Sequence, residues 1–580
     1  MEENRFMRKK EIIALTVFTL GVIVVRLFYI SRTKGPFIYA DEMGYWSHAA
    51  HMTGNIWAGV MDGVSWYSFG YSFWLALTFF FSHDMEVMFH IAVLMNALMG
   101  LATFALAYRI CTRLFVDGSK ELCGLFAFTV TSFPTYIFYS HTTMSETLVN
   151  LMVWLLFYEL ISLEERPCWW KGLILGATAV YAFMVHNRLL VLAIAAVLCM
   201  ILLWIVKKVD WKVVAAFVLA ACVCALFYVW MKRSLGTMLV QNQVVEAAAV
   251  SVTQGSANTF GQMVQKFKSI FSLTAIKYTF LSLLGQLWQC MASTYLLLGV
   301  GLVFCVKKLV SSLKEKAKIT MFLYPLLAFL GMVSLSTVAF ITYDLPQIGE
   351  KIRMDPAFYG RYNECVFPML ILMALVMMIQ GVRSEKKVYG ALLVCFACLS
   401  AVMYVRLYGI ENGYLNIVSA VGIHIFHWLG EFSVIKCFVT GIFVFTIIVE
   451  LCHIRMPKQY NYYLICCMLI FLFFFTALYC MKVAIRGEND NTARFNTLFE
   501  YLNENTNPED NVYICDENKM AFDVQTRLVD KPVISITIDQ LDERVGDSYV
   551  VVPEEQMGDI DSSAYSVCLS TEGYAVIKAQ

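Results

Sequence analysis

Apolar runs long enough to cross a bilayer recur along most of the chain, and they settle the fold class before any other feature. A helix needs roughly 20 apolar residues to cross the hydrocarbon core. Runs of that kind lie near 11–30, 86–108, 121–140, 145–163, 170–186, 189–206, 213–231, 290–306, 319–342, 365–382, 388–405, 433–452 and 460–482, thirteen in all. Composition agrees: of 580 residues, 59% are hydrophobic and only 15% charged, against about a quarter charged in an ordinary soluble chain. Lipid must cover the surface that so few charges cannot solvate. The formal net charge is zero, which points away from a nucleic-acid partner.

The first run follows a basic start, Arg8-Lys9-Lys10, and no small-residue cleavage site follows it, so it reads as a retained helix rather than a signal peptide. The stretch Ser68 to Phe81 is apolar but short, and suits an interfacial or re-entrant helix. The 18 cysteines mostly sit inside apolar runs, as Cys222, Cys224, Cys395 and Cys398 do. There they read as small core residues, not as a disulfide framework or a zinc site.

Lys and Arg set the orientation, because cytoplasmic loops retain them. With the N-terminus inside, the inside loops carry Lys9 and Lys10, then Arg109, Arg113 and Lys120, then Arg166 and Lys171. Lys207, Lys208 and Lys212 follow, then Lys307 to Lys318, Arg383 to Lys387, and finally Arg455 and Lys458. Every inside loop is basic. The longer loops 31–67, 232–289, 343–364 and 407–432, with the C-terminal tail, then fall outside. The chain divides into a membrane part, 1–485, and a polar tail, 486–580. The tail reads as a helix over Asn491–Asn505 and strands at 512–515, 533–538, 549–552 and 566–578, a small extracytoplasmic α/β domain with a turn at Thr571-Glu572-Gly573.

Four polar clusters sit at the outer ends of the spans. Asp41-Glu42 reads as a solvated acidic turn or as a desolvated carboxylate pair able to accept a proton. In Ser140-His141-Thr142-Thr143-Met144-Ser145-Glu146, Ser145 and Glu146 suit a helix start. Glu146 also reads as a second carboxylate of an outer cavity, and His141 as a substrate ligand or a water-facing residue. Arg188, in the turn His186-Asn187-Arg188, snorkels to lipid phosphate or binds a substrate phosphate. Arg361, in Gly360-Arg361-Tyr362, has the planar fork that suits a pair of phosphate oxygens. The aromatics of the first outer region, Trp46, Trp57, Trp66, Tyr67, Tyr71 and Trp74, suit sugar stacking and an interfacial belt equally.

In this order the clusters resemble the GT-C superfamily of integral membrane glycosyltransferases. Among these the likeness is to enzymes using polyprenyl-phosphate sugars, such as protein O-mannosyltransferases and lipid A aminoarabinose transferases. It rests on Asp41-Glu42, on Tyr67-Ser68-Phe69-Gly70-Tyr71-Ser72-Phe73, on Ser145-Glu146, Asn187-Arg188 and Gly360-Arg361-Tyr362. Ser72 stands where the family's GYP-type segment commonly has proline. The resemblance implies an inverting transferase acting at the outer leaflet of a plasma membrane, of bacterial type, with a lipid or cell-envelope glycan as acceptor. It implies Asp41 as base, with Glu42 sharing that role or shaping the pocket. Arg188 and Arg361 would stabilise the phosphate leaving group, Glu146 would orient an acceptor or a basic partner, and His141, Tyr362 and Tyr71 would complete the substrate-binding set. The first loop has no DxD pair, so no cofactor and no obligatory metal are expected. Cys515 and Cys568 lie in predicted strands, where they pair in an oxidising compartment or are simply buried. A lipid-linked sugar flippase and a surface-polysaccharide polymerase or ligase are the competing readings. The first is disfavoured by the missing internal repeat.

Overall fold

The computed structural model describes residues 2–579 except 38–39, 56, 58–67, 116–118, 242–272, 343, 349, 382–384, 412, 428–430, 455–457, 508–509, 516–518, 542–547, 562 and 572. Trp66 and Tyr67 therefore lie outside the described residues. The helices in chain order are α1 (Glu2–Leu27), α2 (Ala40–Met52), α3 (Ser72–Phe79), α4 (Met85–Leu114), α5 (Lys120–Thr131), α6 (Pro134–Phe138), α7 (Glu146–Glu165), α8 (Trp169–Val185) and α9 (Leu190–Ile205). They continue as α10 (Trp211–Gln241), α11 (Leu273–Ser293), α12 (Leu297–Glu315), α13 (Ile319–Ala339), α14 (Phe367–Gly381), α15 (Lys386–Leu407), α16 (Val434–His453), α17 (Lys458–Asn505) and α18 (Lys519–Arg527).

Among the described residues nine helices are long and apolar enough to cross a membrane, and eleven if each of two bent pairs counts as one span. The chain is a polytopic helical membrane protein, but with fewer straight full-length spans than the thirteen apolar runs suggest. Two runs become shorter helices, Trp169–Val185 and Phe367–Ile379. Two others are broken. The α5–α6 pair bends by 75° at Pro134, the first residue of α6, where the ring removes a donor and cannot continue the preceding helix. The α11–α12 pair bends by 103°, with Tyr295 and Leu296 at φ of +50° and +63°. The predicted 290–306 span straddles that break.

The last span does not stop at the membrane part. α17 runs 48 residues without interruption, about 72 Å at 1.5 Å per residue, so the expected helix Asn491–Asn505 is its far end. The tail carries a five-stranded sheet of order β5-β4-β6-β8-β7, with β4 (Val512–Ile514), β5 (Val533–Ser535), β6 (Tyr549–Pro553), β7 (Tyr565–Thr571) and β8 (Tyr574–Ala579). β4 is parallel to β5 and β6, while β8 pairs antiparallel with β6 and β7. The single strand predicted at 566–578 is thus a hairpin of two. Successive side chains face opposite ways: Val551 joins the main core, while Val550 and Val552 join a separate apolar cluster with Cys515. Cys568 packs on the main-core side instead. The two thiols are free, because the sheet separates them; of the two alternatives read from the sequence, burial rather than pairing fits Cys515, and Cys568 is half-buried.

Two connections tie loops of the membrane part to one another and to the tail. A small sheet, absent from the sequence reading, joins β1 (Gln347–Ile348), β2 (Lys351–Arg353) and β3 (Gly413–Tyr414) across loops 343–364 and 407–432. Trp57, 1% exposed, donates its indole N–H to the Val529 carbonyl at 2.8 Å and packs edge-on against Phe522 of α18. Trp46 and Tyr71 are likewise buried, and Trp74 donates to the Tyr181 hydroxyl at 2.9 Å. Packing therefore accounts for Trp46, Trp57 and Tyr71, whereas Trp74 remains exposed.

Candidate active site

Asp41 and Glu42 open α2 instead of lying in a loop. Every residue of α2 from Glu42 to Ala50 is buried, and Glu42, Tyr45, Trp46, Ala49 and Ala50 share one face at helical spacing. That face docks on the segment before α7. The Glu42 carboxylate accepts from the Thr143 backbone N–H at 2.7 Å and from its hydroxyl at 2.8 Å. Trp46 donates to the Thr143 hydroxyl at 2.9 Å, and Tyr45 to Ser145 Oγ at 2.8 Å. Asn96 holds the same segment by donating to the Thr142 carbonyl at 2.8 Å. These bonds fix the first turn of α2 beside the first turn of α7, and so place Asp41 next to Glu146.

The Arg188 turn is positioned by Ser68 and Gly70. The Gly70 N–H donates to the Met184 carbonyl at 2.7 Å. A Cβ at position 70 would lie 2.5 Å from the Val185 nitrogen, so any side chain would push the two backbones apart. Ser68 Oγ donates to Asn187 Oδ1 at 3.0 Å and accepts from the Asn187 N–H at 3.1 Å. Arg361 is held from the other side, where the Gly360 and Arg361 N–H groups both donate to the Ser419 carbonyl, at 2.8 and 2.9 Å. A Cβ at position 360 would come within 2.5 Å of Gln289 Nε2 and Glu364 Oε1.

These supports bring Asp41, Glu146, Arg188 and Arg361 into one cluster from four separate segments. Arg361 donates through Nε to Glu146 Oε1 at 2.6 Å and pairs through Nη2 with Asp41. Arg188 Nη2 reaches the same Glu146 oxygen at 3.2 Å. Two carboxylates and two guanidiniums give the cluster a formal charge of zero. Burial opposes the charge on Arg361, but the Asp41 and Glu146 carboxylates more than offset that, and its pKa stands well above the usual arginine value. The cluster is graded in depth: the side chains of Arg188, Glu146 and Arg361 are 1%, 3% and 9% exposed, whereas that of Asp41 is 26% exposed. Arg188 Nε and Nη1 and Glu146 Oε2 are buried without a hydrogen-bond partner among the described residues.

Tyr362 completes the wall, its ring 5.1 Å from the Arg188 guanidinium and edge-on to His186. The other sequence candidates point elsewhere. Glu42 faces Thr143, as above. Tyr71 packs edge-on behind Tyr45 and donates to Asn96 Oδ1 at 3.1 Å. His141 is bonded through Nδ1 to the Ile137 carbonyl at 3.0 Å and packs against Tyr29. Conversely, His186 reaches the cluster although sequence reasoning left it out in favour of its neighbour Arg188. Its Nδ1 accepts from the Arg188 N–H at 3.2 Å, which leaves the ring proton on Nε2. Asp41, Glu146 and His186 offer three ligand atoms within 4.8 Å of one another, a spacing a cation would accept. Arg361 already bonds to both of those carboxylates, so a cation there would compete with it.

Glu364 supports the cluster from behind, accepting from Gln289 Nε2 at 2.6 Å and the Gly422 N–H at 3.1 Å. Burial pushes its pKa up to about 8, against the smaller opposing effect of those two bonds. In the unfolded chain a glutamate ionises near pH 4.3. Between that pH and about 8 folding therefore takes up a proton, and stability falls as pH rises through the window, on the order of 1 kcal/mol per pH unit. Glu364→Gln should flatten this dependence and stabilise the chain at the alkaline end, as read by thermal unfolding in nanodiscs at several pH values. Equal pH slopes for the two proteins would contradict it.

No family model matches the chain, and no curated protein matches it in sequence. Solved structures do. ArnT from Cupriavidus metallidurans bound to undecaprenyl phosphate superposes with a TM-score of 0.52 at 12% identity, covering 97% of each chain. The apo form of the same protein gives 0.50, also at 12% identity, over 98% of each. This chain has an ArnT-like fold. The polytopic helical architecture with a C-terminal domain, expected from the sequence, is therefore present as a fold. The archaeal oligosaccharyltransferase AglB from Archaeoglobus fulgidus also aligns, at a TM-score of 0.39 and 10% identity over 95% of this chain and 70% of that one, too weakly to add weight.

Proposed function

We propose that the chain is an inverting glycosyltransferase. It moves a sugar from a polyprenyl-phosphate carrier to a lipid or cell-envelope glycan acceptor at the outer face of a bacterial plasma membrane. The N-terminus is then cytoplasmic and the tail domain extracytoplasmic, as the distribution of Lys and Arg favours. The observation that carries the reading is the graded charge cluster: a carboxylate at its mouth, two buried guanidiniums beneath it, and N–H groups of Arg188 still to be satisfied. The ArnT structure that shares this fold holds undecaprenyl phosphate, which suggests the carrier by analogy.

In the proposed step the acceptor hydroxyl gives its proton to Asp41 while its oxygen bonds to the anomeric carbon. The bond from that carbon to the phosphate oxygen breaks, and its electron pair stays on the phosphate. Attack opposite the leaving group inverts the anomeric centre. Asp41 loses a negative charge as the phosphate gains one, so the total charge of the pocket does not change. Arg361 and Arg188, already oriented, stabilise the charge where it develops. With that positive charge supplied by side chains, the reaction needs no obligatory metal. The test is to incubate the full chain in lipid nanodiscs with radiolabelled polyprenyl-phosphate sugars and follow sugar release or transfer. Turnover of one donor is expected. Absence of both turnover and binding for every donor would contradict the reading.

A further inference from the structure

We propose, on the reading just given, that Asp41 holds the donor phosphate's place on Arg361, and that donor binding exchanges partners and so frees Asp41 to act as base. The base named above is bonded to Arg361 Nη2, a donor on the guanidinium proposed to hold the phosphate. A phosphate oxygen and the Asp41 carboxylate cannot both occupy that N–H donor, so one must yield when the sugar donor is seated.

The geometry says which partner yields. Glu146 is bonded to both guanidiniums and its side chain is 3% exposed. Among the described residues Asp41 forms an ion pair with Arg361 alone, and it is the most exposed member, at 26%. An anion entering from the mouth therefore meets Asp41 first. The helix beneath it stays put, because Glu42, Tyr45 and Trp46 tie α2 to Thr143 and Ser145. The exchange is thus a rotation of one side chain. Arg361 itself is fixed by its backbone bond to Ser419, and the unpartnered Arg188 Nε and Nη1 give a phosphate further donors. Asp41 then becomes available to an acceptor hydroxyl only when the leaving group is seated.

The consequence is a penalty on donor affinity, because part of the population has Arg361 occupied by Asp41. Undecaprenyl phosphate binding to the full chain in nanodiscs is measured for wild type, Asp41→Asn, Asp41→Ser and Asp530→Asn. The last removes an acidic charge on the exposed pair with His83 and controls for general electrostatics. Both Asp41 variants should bind about tenfold more tightly than wild type, and Asp530→Asn should change binding less than about twofold. Unfolding temperatures recorded on the same samples show that the compared proteins are folded. Unchanged or weaker binding by the folded Asp41 variants overturns the exchange while leaving the transferase reading intact. Equal tightening by Asp530→Asn overturns it too, and tightening by Asn alone would trace the effect to the new amide. Absence of binding by all four proteins overturns the carrier assignment and the exchange together.

Discussion

Glu146→Ala is expected to destabilise the protein by about 3–5 kcal/mol, the cost of leaving a buried charge without its partner. Glu146 is the shared acceptor of Arg188 and Arg361, and both guanidiniums are almost wholly buried. Removing it leaves Arg188 with no carboxylate among its described ion pairs. Glu146→Gln should fall between the two, because an amide oxygen still accepts a hydrogen bond but brings no charge. Unfolding midpoints in nanodiscs of constant composition give the comparison. A loss below about 1 kcal/mol, the range of exposed ion pairs, would show that the cluster is solvated and would remove the electrostatic basis of the site.

Arg361→Ala should lower transfer by at least 10²- to 10³-fold, about 2.7–4 kcal/mol of transition-state stabilisation. Two effects combine there. The leaving phosphate loses its nearest cation, and Asp41 and Glu146 are left close together with Arg188 alone to offset them. Arg361→Lys should recover little. A single ammonium cannot reproduce the fork that reaches Glu146 through Nε and Asp41 through Nη2. Recovery by lysine to within threefold of wild type would mean that charge matters at this position and geometry does not.

Much of this site could be read from the sequence because membranes make polarity informative. Apart from the basic loops, charged residues at the ends of long apolar runs are few, and Asp41, Glu146, Arg188 and Arg361 stand out among them. What could not be read depends on tertiary partners. α2 alternates buried apolar positions with Glu42, Ser47 and His48, and its length of 13 residues falls well short of a span, so it resembles a loop. The kink at Pro134 has a local signal in the proline itself. The break at Tyr295 and Leu296 has none, since both are large residues held at positive φ. The three-stranded sheet uses strands of two or three residues, too short for an alternating pattern to register. The state of Glu364 rests on burial by segments distant in the chain, Gln289 among them at 75 positions away, and the part played by His186 depends on which way its ring turns.

The most direct test compares wild type with Asp41→Asn in nanodiscs, measuring turnover of a radiolabelled polyprenyl-phosphate sugar and binding of undecaprenyl phosphate on the same preparations. Asp41 as general base predicts a loss of about 10²- to 10⁴-fold in turnover while the folded variant still binds the lipid phosphate. Turnover by Asp41→Asn within a few-fold of wild type would contradict that assignment, because the proton would then have another acceptor.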